Sequence, residues 1–271
     1  MADIPRSRSS ILEVRGLTRR FDGFIAVDHV TFSVGEGEVL GLVGLNGAGK
    51  TTLIKMLITL LPPSEGSAVV CGYDLRREPA MVRRTIGYVP QLVSVDGDLT
   101  GRENLQIYAR LYDVPGAERA SRVDQALRFM DLADVGDKLV RAYSGGMVRR
   151  LEIAQSMLHR PHLLFLDEPT FGLDPVARAS VWRHILELRN NFGATILLTT
   201  HLLDEVEELC DRMAIMTHGK LAAIGTVEEL RQQVGPDAPL DEVFVHFAGT
   251  HEQEGEFRAA ARLRRTGRRL G

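Results

Sequence analysis

A glycine-rich stretch, GLNGAGKT at residues 44–51, has the composition and spacing of a phosphate-binding loop. It fits the pattern G-x-x-x-x-G-K-[ST] and stands between an apolar segment typical of a buried strand and a predicted helix. In such a loop the backbone N–H groups surround phosphate oxygens, the lysine reaches the β- and γ-phosphates, and the hydroxyl after it binds Mg²⁺. We assign the last two roles to Lys50 and Thr51, and we expect further nucleotide contacts from Gly44, Leu45, Asn46, Gly47, Ala48, Gly49 and Thr52.

Two adjacent carboxylates end a second apolar segment, LLFLDEPT at residues 163–170. Phosphoryl transfer needs one carboxylate to support Mg²⁺, usually through its water, and another group to position or deprotonate the attacking water. Asp167 suits the first role and Glu168 the second. An Asp-Glu pair at a strand end can also simply cap a helix, so this assignment depends on the phosphate-binding loop upstream.

Two isolated polar residues follow other predicted strands. His201 closes ATILLTTH, where a neutral imidazole can contact a γ-phosphate, although a lone histidine at a strand end is ordinarily structural. Gln91 follows YVP, where an amide can bind Mg²⁺ or contact the attacking water. Neither residue identifies a site by itself.

The stretch YSGGMVRR, residues 143–150, offers a second place for an anion. Ser144, Gly145 and Gly146 open a predicted amphipathic helix, and the N–H groups at a helix N-terminus attract phosphate. No Lys-Ser/Thr pair follows, and the phosphate-binding loop is already complete elsewhere in the chain. The residues alone leave two interpretations, a second phosphate-binding element or a structural helix that begins at glycine.

The elements that must position these residues alternate between strands and helices. Residues 11–44 alternate apolar and polar side chains between glycine turns, which predicts short antiparallel strands. A helix is predicted from Lys50 to about Leu61, where Pro62-Pro63 stops it, and a strand at 85–90. From Gln91 to about Arg160 the periodicity is helical.

The second half of the chain predicts a parallel sheet. Buried strands at HLLFLDEP and ATILLTT flank a predicted helix, PVARASVWRHILELRNN, and strand–helix–strand order favours a parallel sheet covered on both faces. RMAIMTHGKLAAIG is predicted to be a hairpin that turns at His218-Gly219.

Composition limits the classes of function. The 271 residues are 44% hydrophobic and 25% charged with a formal net charge of −3, whereas a general nucleic-acid binder is more often basic. Two cysteines make no disulfide framework, which fits a reducing cytoplasm. No apolar run reaches the roughly 18–20 residues needed to span a bilayer, and MADIPRSRSS predicts no secretory signal. We therefore expect a cytoplasmic chain whose membrane role, if any, comes through a partner.

The motifs stand in one order: phosphate-binding loop, Gln91, YSGGM, LFLDEP, GLDP and His201. In this order the chain resembles the nucleotide-binding subunit of ABC transporters over nearly all of residues 11–230. YSGGMVRRLEIAQSMLHRPHLLFLDEPTFGLDP, with LDEVF near the end, is similar to the daunorubicin-resistance branch of ABC-2 exporters. The resemblance implies an α/β fold of the P-loop NTPase, ABC ATPase type, with a mainly parallel core sheet, an antiparallel β subdomain and a helical subdomain.

The resemblance also implies ATP and Mg²⁺ as cofactors and a role for each matching residue. Phe21 falls where an aromatic ring stacks on adenine; the family more often has Tyr there. Glu168 is the implied general base and His201 the implied γ-phosphate switch, while Asp174 in GLDP faces the opposite active site across a dimer. Phosphate and Mg²⁺ are bound by Lys50, Thr51, Gln91 and Asp167.

In this family the SGG stretch closes over the γ-phosphate held by a second subunit. Ser144, Gly145 and Gly146 are therefore expected to bind the partner's nucleotide in a head-to-tail homodimer with two ATP molecules between the chains. Met147 departs from the pattern, since most of the family has Gln there. Because the Ser hydroxyl and the glycine amides make the principal phosphate contacts, we expect activity to survive this change.

The resemblance further implies an integral membrane permease subunit as partner and no nucleic acid. Residues 92–112 are expected to dock a cytoplasmic helix of that subunit, which places the chain peripherally at the cytoplasmic face of the membrane. The expected domain organisation is a flexible N-terminus (1–10), a nucleotide-binding domain (11–235, with a helical subdomain at about 92–160) and a short extension with a basic tail (236–271).

Two alternatives remain for the function. One is a soluble ABC-type ATPase acting on nucleic acid or ribosomes, but such proteins carry long coiled coils, zinc cysteines or two cassettes, which this sequence lacks. The other is a non-hydrolysing regulator, against which the intact Glu168 and His201 weigh. The transported substrate stays open; drug or antibiotic export is the leading expectation, and lipid, polysaccharide or ion exporters share much the same ATPase.

Overall fold

Within residues 10–249, which are those that the computed structural model describes, the chain forms two β-sheets and nine α-helices. Of the expected flexible N-terminus, residues 1–9 lie outside this range, and so do residues 250–271 of the expected extension with its basic tail.

The first sheet is antiparallel, as predicted from the alternating pattern near the N-terminus, but its first two strands have 12 residues each and are not short. Its strand order is β2-β1-β4-β5, with β1 at Ser10–Phe21, β2 at Phe24–Gly35, β4 at Glu65–Val70 and β5 at Tyr73–Asp74. On β2 the buried residues Val30, Phe32 and Val34 alternate with exposed ones. This sheet therefore has one apolar face, which packs toward the core.

The second sheet is mainly parallel and has the order β10-β9-β3-β8-β7-β6. Its strands are β3 (Val39–Val43), β6 (Ile86–Val89), β7 (Leu163–Asp167), β8 (Thr195–Thr200), β9 (Arg212–Thr217) and β10 (Lys220–Gly225). β3, β7 and β8 are buried at every position, as expected of central strands that are covered on both faces. β10 returns antiparallel to β9 through the predicted turn at His218-Gly219.

The helices cover this sheet and form a separate group between β6 and β7. They are α1 (Lys50–Leu57), α2 (Pro79–Thr85), α3 (Gly101–Leu111), α4 (Gly116–Phe129), α5 (Gly145–Met157), α6 (Pro175–Phe192), α7 (Leu203–Leu209), α8 (Val227–Gln232) and α9 (Leu240–Ala248). α6 shows how sequence sets the ends: Asp174 caps its first turn, and Gly193, at φ 63°, ends it in the left-handed conformation. No helix among residues 10–249 is both long and apolar enough to cross a bilayer.

Two predicted helix limits were wrong. The helix expected to reach Leu61 ends at Leu57, because Thr59 turns to φ 66° and the N–H groups of the next two residues bond back to the carbonyl of Lys55. The helical pattern that starts at Gln91 becomes a helix only at Gly101, where a capping box of Thr100 and Glu103 begins α3. Hydrogen bonds to α5 hold residues 91–94 of the loop that precedes α3.

Candidate functional site

Four parallel strands deliver the predicted site residues to one edge of the second sheet. In the register, Val43 of β3 pairs with Thr200 of β8, Asp167 of β7 with Thr199, and Val89 of β6 with Leu166. The phosphate-binding loop, His201, the Asp167-Glu168 pair and Gln91 each follow one of these four strand ends. Open parallel sheets bind ligands at this carboxyl edge.

The phosphate-binding loop is held in shape by Lys50 and by contact with the first sheet. Lys50, 6% exposed, donates from Nζ to the carbonyls of Gly44 (2.6 Å) and Leu45 (3.3 Å). Gly49 has φ 103°, and a Cβ there would stand 2.4 Å from the Ala26 carbonyl oxygen, so only glycine fits. α1 begins at Lys50 without a side-chain cap, which leaves its first N–H groups for an anion.

Thr51 and Asp167 lie close enough to share one cation. The Thr51 hydroxyl is 3.3 Å from Asp167 Oδ1, and the Thr199 hydroxyl donates to the same oxygen at 2.6 Å. Burial raises the pKa of Asp167, and these two hydrogen bonds offset part of that shift. Hydroxyl and carboxylate oxygens are ligands that Mg²⁺ accepts, and its charge would favour the ionised carboxylate, so the residues present fit Mg²⁺.

Hydrogen bonds hold the backbone of Glu168, and its carboxylate lies next to His201 and Lys50. Its φ is 51°, an unusual value for a residue other than glycine, and its N–H bonds to both the carbonyl (3.1 Å) and the hydroxyl (3.0 Å) of Thr199. His201 Nδ1 donates to Oε2 at 2.6 Å, and Lys50 Nζ lies 3.3 Å from Oε1. Burial works to raise the pKa of Glu168, but the His201 hydrogen bond and the Lys50 charge outweigh it and lower the pKa. The side chain is thus a carboxylate at neutral pH.

Phe21 lies at the tip of the hairpin between β1 and β2. Its ring is 39% exposed and stacks on Phe24 with 5.6 Å between centroids, while the Arg19 guanidinium lies 4.6 Å from the ring centre. The same hairpin supplies the Ala26 carbonyl that contacts the loop at Gly49. The Phe21 ring is thus partly exposed on a hairpin whose second strand contacts the phosphate-binding loop.

Ser144 caps α5 and stands apart from the phosphate-binding loop of its own chain. Its side chain is exposed and accepts a hydrogen bond from the Met147 N–H at 3.3 Å. Among residues 10–249, no hydrogen bond or ion pair joins Ser144, Gly145 or Gly146 to residues 44–52. Gly146 instead packs on Ala177 of α6, and the Met147 side chain packs on the apolar cluster around α5.

Two contributors to the site were missed in the sequence analysis. Thr199 bridges Asp167 and Glu168, and a pair of threonines at the end of a buried strand was the only signal for it. Glu205, 1% exposed on α7, accepts hydrogen bonds from the Thr170 hydroxyl and the Trp182 indole N–H, both at 2.9 Å. Burial raises its pKa, and it ties the helix after His201 to the loop after Glu168.

A Thr199→Val substitution is expected to lower the free energy of unfolding by about 1–3 kcal/mol, because a buried carboxylate loses a donor that the isosteric side chain cannot replace. Urea titration measures the change, with an unchanged m-value as the sign of an intact fold. Thr195→Val is the matched control: it lies on the same strand, is equally buried, and accepts one neutral hydrogen bond from the Gly37 N–H. Equal losses in the two variants would contradict a special role for Thr199.

Comparison with known proteins gives concordant similarities. A family model described as ABC transporter matches residues 27–171. Daunorubicin resistance ATP-binding protein DrrA3 of Streptomyces coeruleorubidus is 45% identical over 227 residues, 83% of this chain and 71% of that protein. Nod factor export ATP-binding protein I of Ralstonia nicotianae is 42% identical over 84% of this chain and 71% of its own length. A solved structure, described as the ATP binding subunit of an ABC transporter, superposes with a TM-score of 0.78 at 36% identity, over 88% of this chain and 99% of that one.

Proposed function

The chain belongs to the ABC transporter family, and we propose that it is the ATP-hydrolysing subunit of an ABC-2 type exporter that drives transport through a separate membrane subunit. The family match confirms the resemblance inferred from the motifs. The observation that carries the proposal is the meeting of Lys50, Asp167, Glu168 and His201 at one sheet edge.

In this proposal each residue has one task in ATP hydrolysis. The amides of residues 44–52 and Lys50 bind the phosphates, and Phe21 stacks on adenine. Thr51, Asp167 and Gln91 hold Mg²⁺, which neutralises charge on the phosphates when bound. Glu168, which its lowered pKa keeps ionised, accepts the proton of the attacking water as general base. His201 bonds to Glu168 through Nδ1 in this structure and is proposed as the γ-phosphate switch.

The second phosphate element acts in a homodimer. Within residues 10–249 Ser144 has no hydrogen bond to its own phosphate-binding loop, so the exposed N-terminus of α5 is proposed to bind the γ-phosphate of a head-to-tail partner, and Asp174 is proposed to face that partner's site. Two ATP molecules then lie between the chains. ATP stabilises the closed dimer, and loss of the bridging γ-phosphate favours opening, so hydrolysis switches the balance between two states.

The membrane subunit is proposed to dock on an apolar patch beside Gln91. Leu92 and Val93 are 81% and 66% exposed, and Ile107 and Leu111 of α3 are exposed as well. Large apolar side chains that are exposed in this way are candidates for an interaction surface. We accordingly propose a peripheral position for the chain at the cytoplasmic face of the membrane. The names of the relatives describe daunorubicin resistance and Nod factor export, and we propose a drug, an antibiotic or a lipid-like molecule as the cargo.

Capture of the membrane subunit tests the proposal. A Glu168→Gln chain, expected to bind ATP and hydrolyse it very slowly, is incubated with detergent-solubilised native membranes, ATP and Mg²⁺, and the mass of the isolated complex is measured. Two copies of the chain on an integral membrane protein are expected. The matched control adds Leu92→Asp, which leaves the nucleotide site intact and should abolish capture. A soluble ATP-bound dimer with no membrane protein would contradict the exporter.

A soluble ATPase acting on nucleic acid or ribosomes is not favoured. The net charge of −3 provides no electrostatic basis for general nucleic-acid binding, and the names of the matched relatives describe drug resistance and export.

A further inference from the structure

The loop that follows β6 is fastened to α5 by a buried arginine. Arg149, 5% exposed, donates from Nη1 to the carbonyl of Pro90 at 2.7 Å and from Nη2 to the carbonyl of Gln91 at 3.0 Å. A guanidinium that spans two consecutive carbonyls fixes both the position and the direction of the backbone between them.

A buried glutamate one turn further along α5 holds the other end of the same loop. Glu152, 2% exposed, accepts from the N–H (2.6 Å) and the hydroxyl (2.8 Å) of Ser94 through Oε1, and its Oε2 lies 2.9 Å from Arg149 Nη1. We call Arg149, Glu152 and their bonds to residues 90–94 the α5 clip.

A buried ion pair such as the α5 clip is not expected to stabilise the loop more than apolar side chains would, so stability alone does not explain it. Burying two charges carries a desolvation penalty that their attraction does not reliably exceed, and apolar side chains of similar volume often stabilise as well or better. Partly made polar networks are unfavourable, so the loop and α5 are expected to move together or part completely. A movement of α5 is therefore expected to move residues 90–94 with it.

The clip joins three parts of the proposed machinery. Ser144 begins α5, and Arg149 and Glu152 lie five and eight residues further, about 7.5 and 12 Å along the helix axis. The loop they hold carries Gln91, proposed for Mg²⁺, and the exposed Leu92 and Val93, proposed for the membrane subunit. If Ser144 moves along the axis of α5, the helix is expected to carry that movement to Gln91 and to the exposed Leu92 and Val93.

We propose that Arg149 and Glu152 are positioning residues that transmit the closure of Ser144 over the partner's nucleotide to residues 90–94. The inference rests on the proposed function, because it needs the ATP-bound dimer. In this proposal, Arg149 and Glu152 connect the binding of ATP in the dimer to the surface on which the membrane subunit docks. Within the described part of the chain, neither residue has a hydrogen bond or ion pair to residues 44–52.

Hydrogen–deuterium exchange on the full chain tests the clip. In a Glu168→Gln background, ATP with Mg²⁺ is expected to form the dimer and to slow exchange in residues 90–98. Adding Ser94→Ala, at an exposed position, should reduce this ATP-dependent protection by about fivefold, the effect of one lost hydrogen bond. Adding Arg149→Met with Glu152→Leu should remove it, while ATP-driven dimerisation, followed by light scattering, persists.

The matched control breaks a different ion pair that has one buried carboxylate. Glu38→Gln with Arg212→Met removes a 2.9 Å pair between the start of β3 and β9, and it should leave the protection of residues 90–98 unchanged. If the double clip variant fails to fold, Ser94→Ala decides alone.

The outcomes separate the clip from the proposed function. A parent chain that stays monomeric with ATP would overturn the shared-nucleotide dimer and the clip with it. A parent dimer in which clip variants keep full protection would overturn the clip and leave the proposed function standing. Clip variants that no longer dimerise would also overturn it, because the pair would then shape the interface rather than transmit its closure.

Discussion

The Glu168→Gln chain is expected to lose ATP hydrolysis by at least about 10²–10³-fold while binding ATP as tightly as the unchanged chain, because general-base catalysis contributes on this order. An amide of nearly equal size keeps the shape of the site but cannot take a proton from water. Binding survives because Lys50, the loop amides and the Thr51–Asp167 pair are unchanged. Phosphate release gives the turnover, and equilibrium titration with a fluorescent ATP analogue gives the affinity.

Glu205→Gln is the matched control for this change. Glu205 is another buried glutamate at the same sheet edge, but it bonds to Thr170 and Trp182, and a glutamine oxygen can still accept both hydrogen bonds. We expect turnover within a few-fold of the unchanged chain. Comparable losses in both variants would assign the effect to buried charge in general, and turnover retained in Glu168→Gln would remove Glu168 from its proposed role.

The parts of the site that sequence predicted are those encoded in consecutive residues. The phosphate-binding loop and the Asp167-Glu168 pair each depend on local backbone geometry, a glycine turn or a strand end, which a short motif specifies. Their meeting at one edge followed from the predicted parallel sheet, because strands in the same direction end at the same side. The fold class was predictable for the same reason.

The parts that sequence did not predict depend on register between distant strands. Thr199 reaches Asp167 only because β7 and β8 pair with those two residues opposite each other, and no local pattern encodes that register. The helical periodicity after Gln91 predicted a helix where there is a loop, because backbone bonds to Arg149 and Glu152 outweigh local propensity there. Both are contacts between residues far apart in the chain.

A Ser144→Asp substitution is expected to leave the ATP affinity of a single chain unchanged and to weaken ATP-driven dimerisation of the Glu168→Gln chain by more than about 100-fold. Aspartate caps a helix as well as serine does, so α5 keeps its first turn. Its charge, however, would face the γ-phosphate of the partner's ATP, and like charges in an interface cost several kcal/mol. Sedimentation velocity with ATP and Mg²⁺ measures the dimer.

Ser144→Asn separates charge from shape, because asparagine caps the helix equally well and carries no charge. It should dimerise far better than Ser144→Asp. Lys50→Ala provides the opposite control: Lys50 lies in the loop of its own chain, so its loss should weaken ATP binding already in the monomer. If Ser144→Asp instead weakened ATP binding by the single chain, Ser144 would bind its own nucleotide. A shared site predicts the reverse, since one chain supplies the lysine and the other the serine for each γ-phosphate.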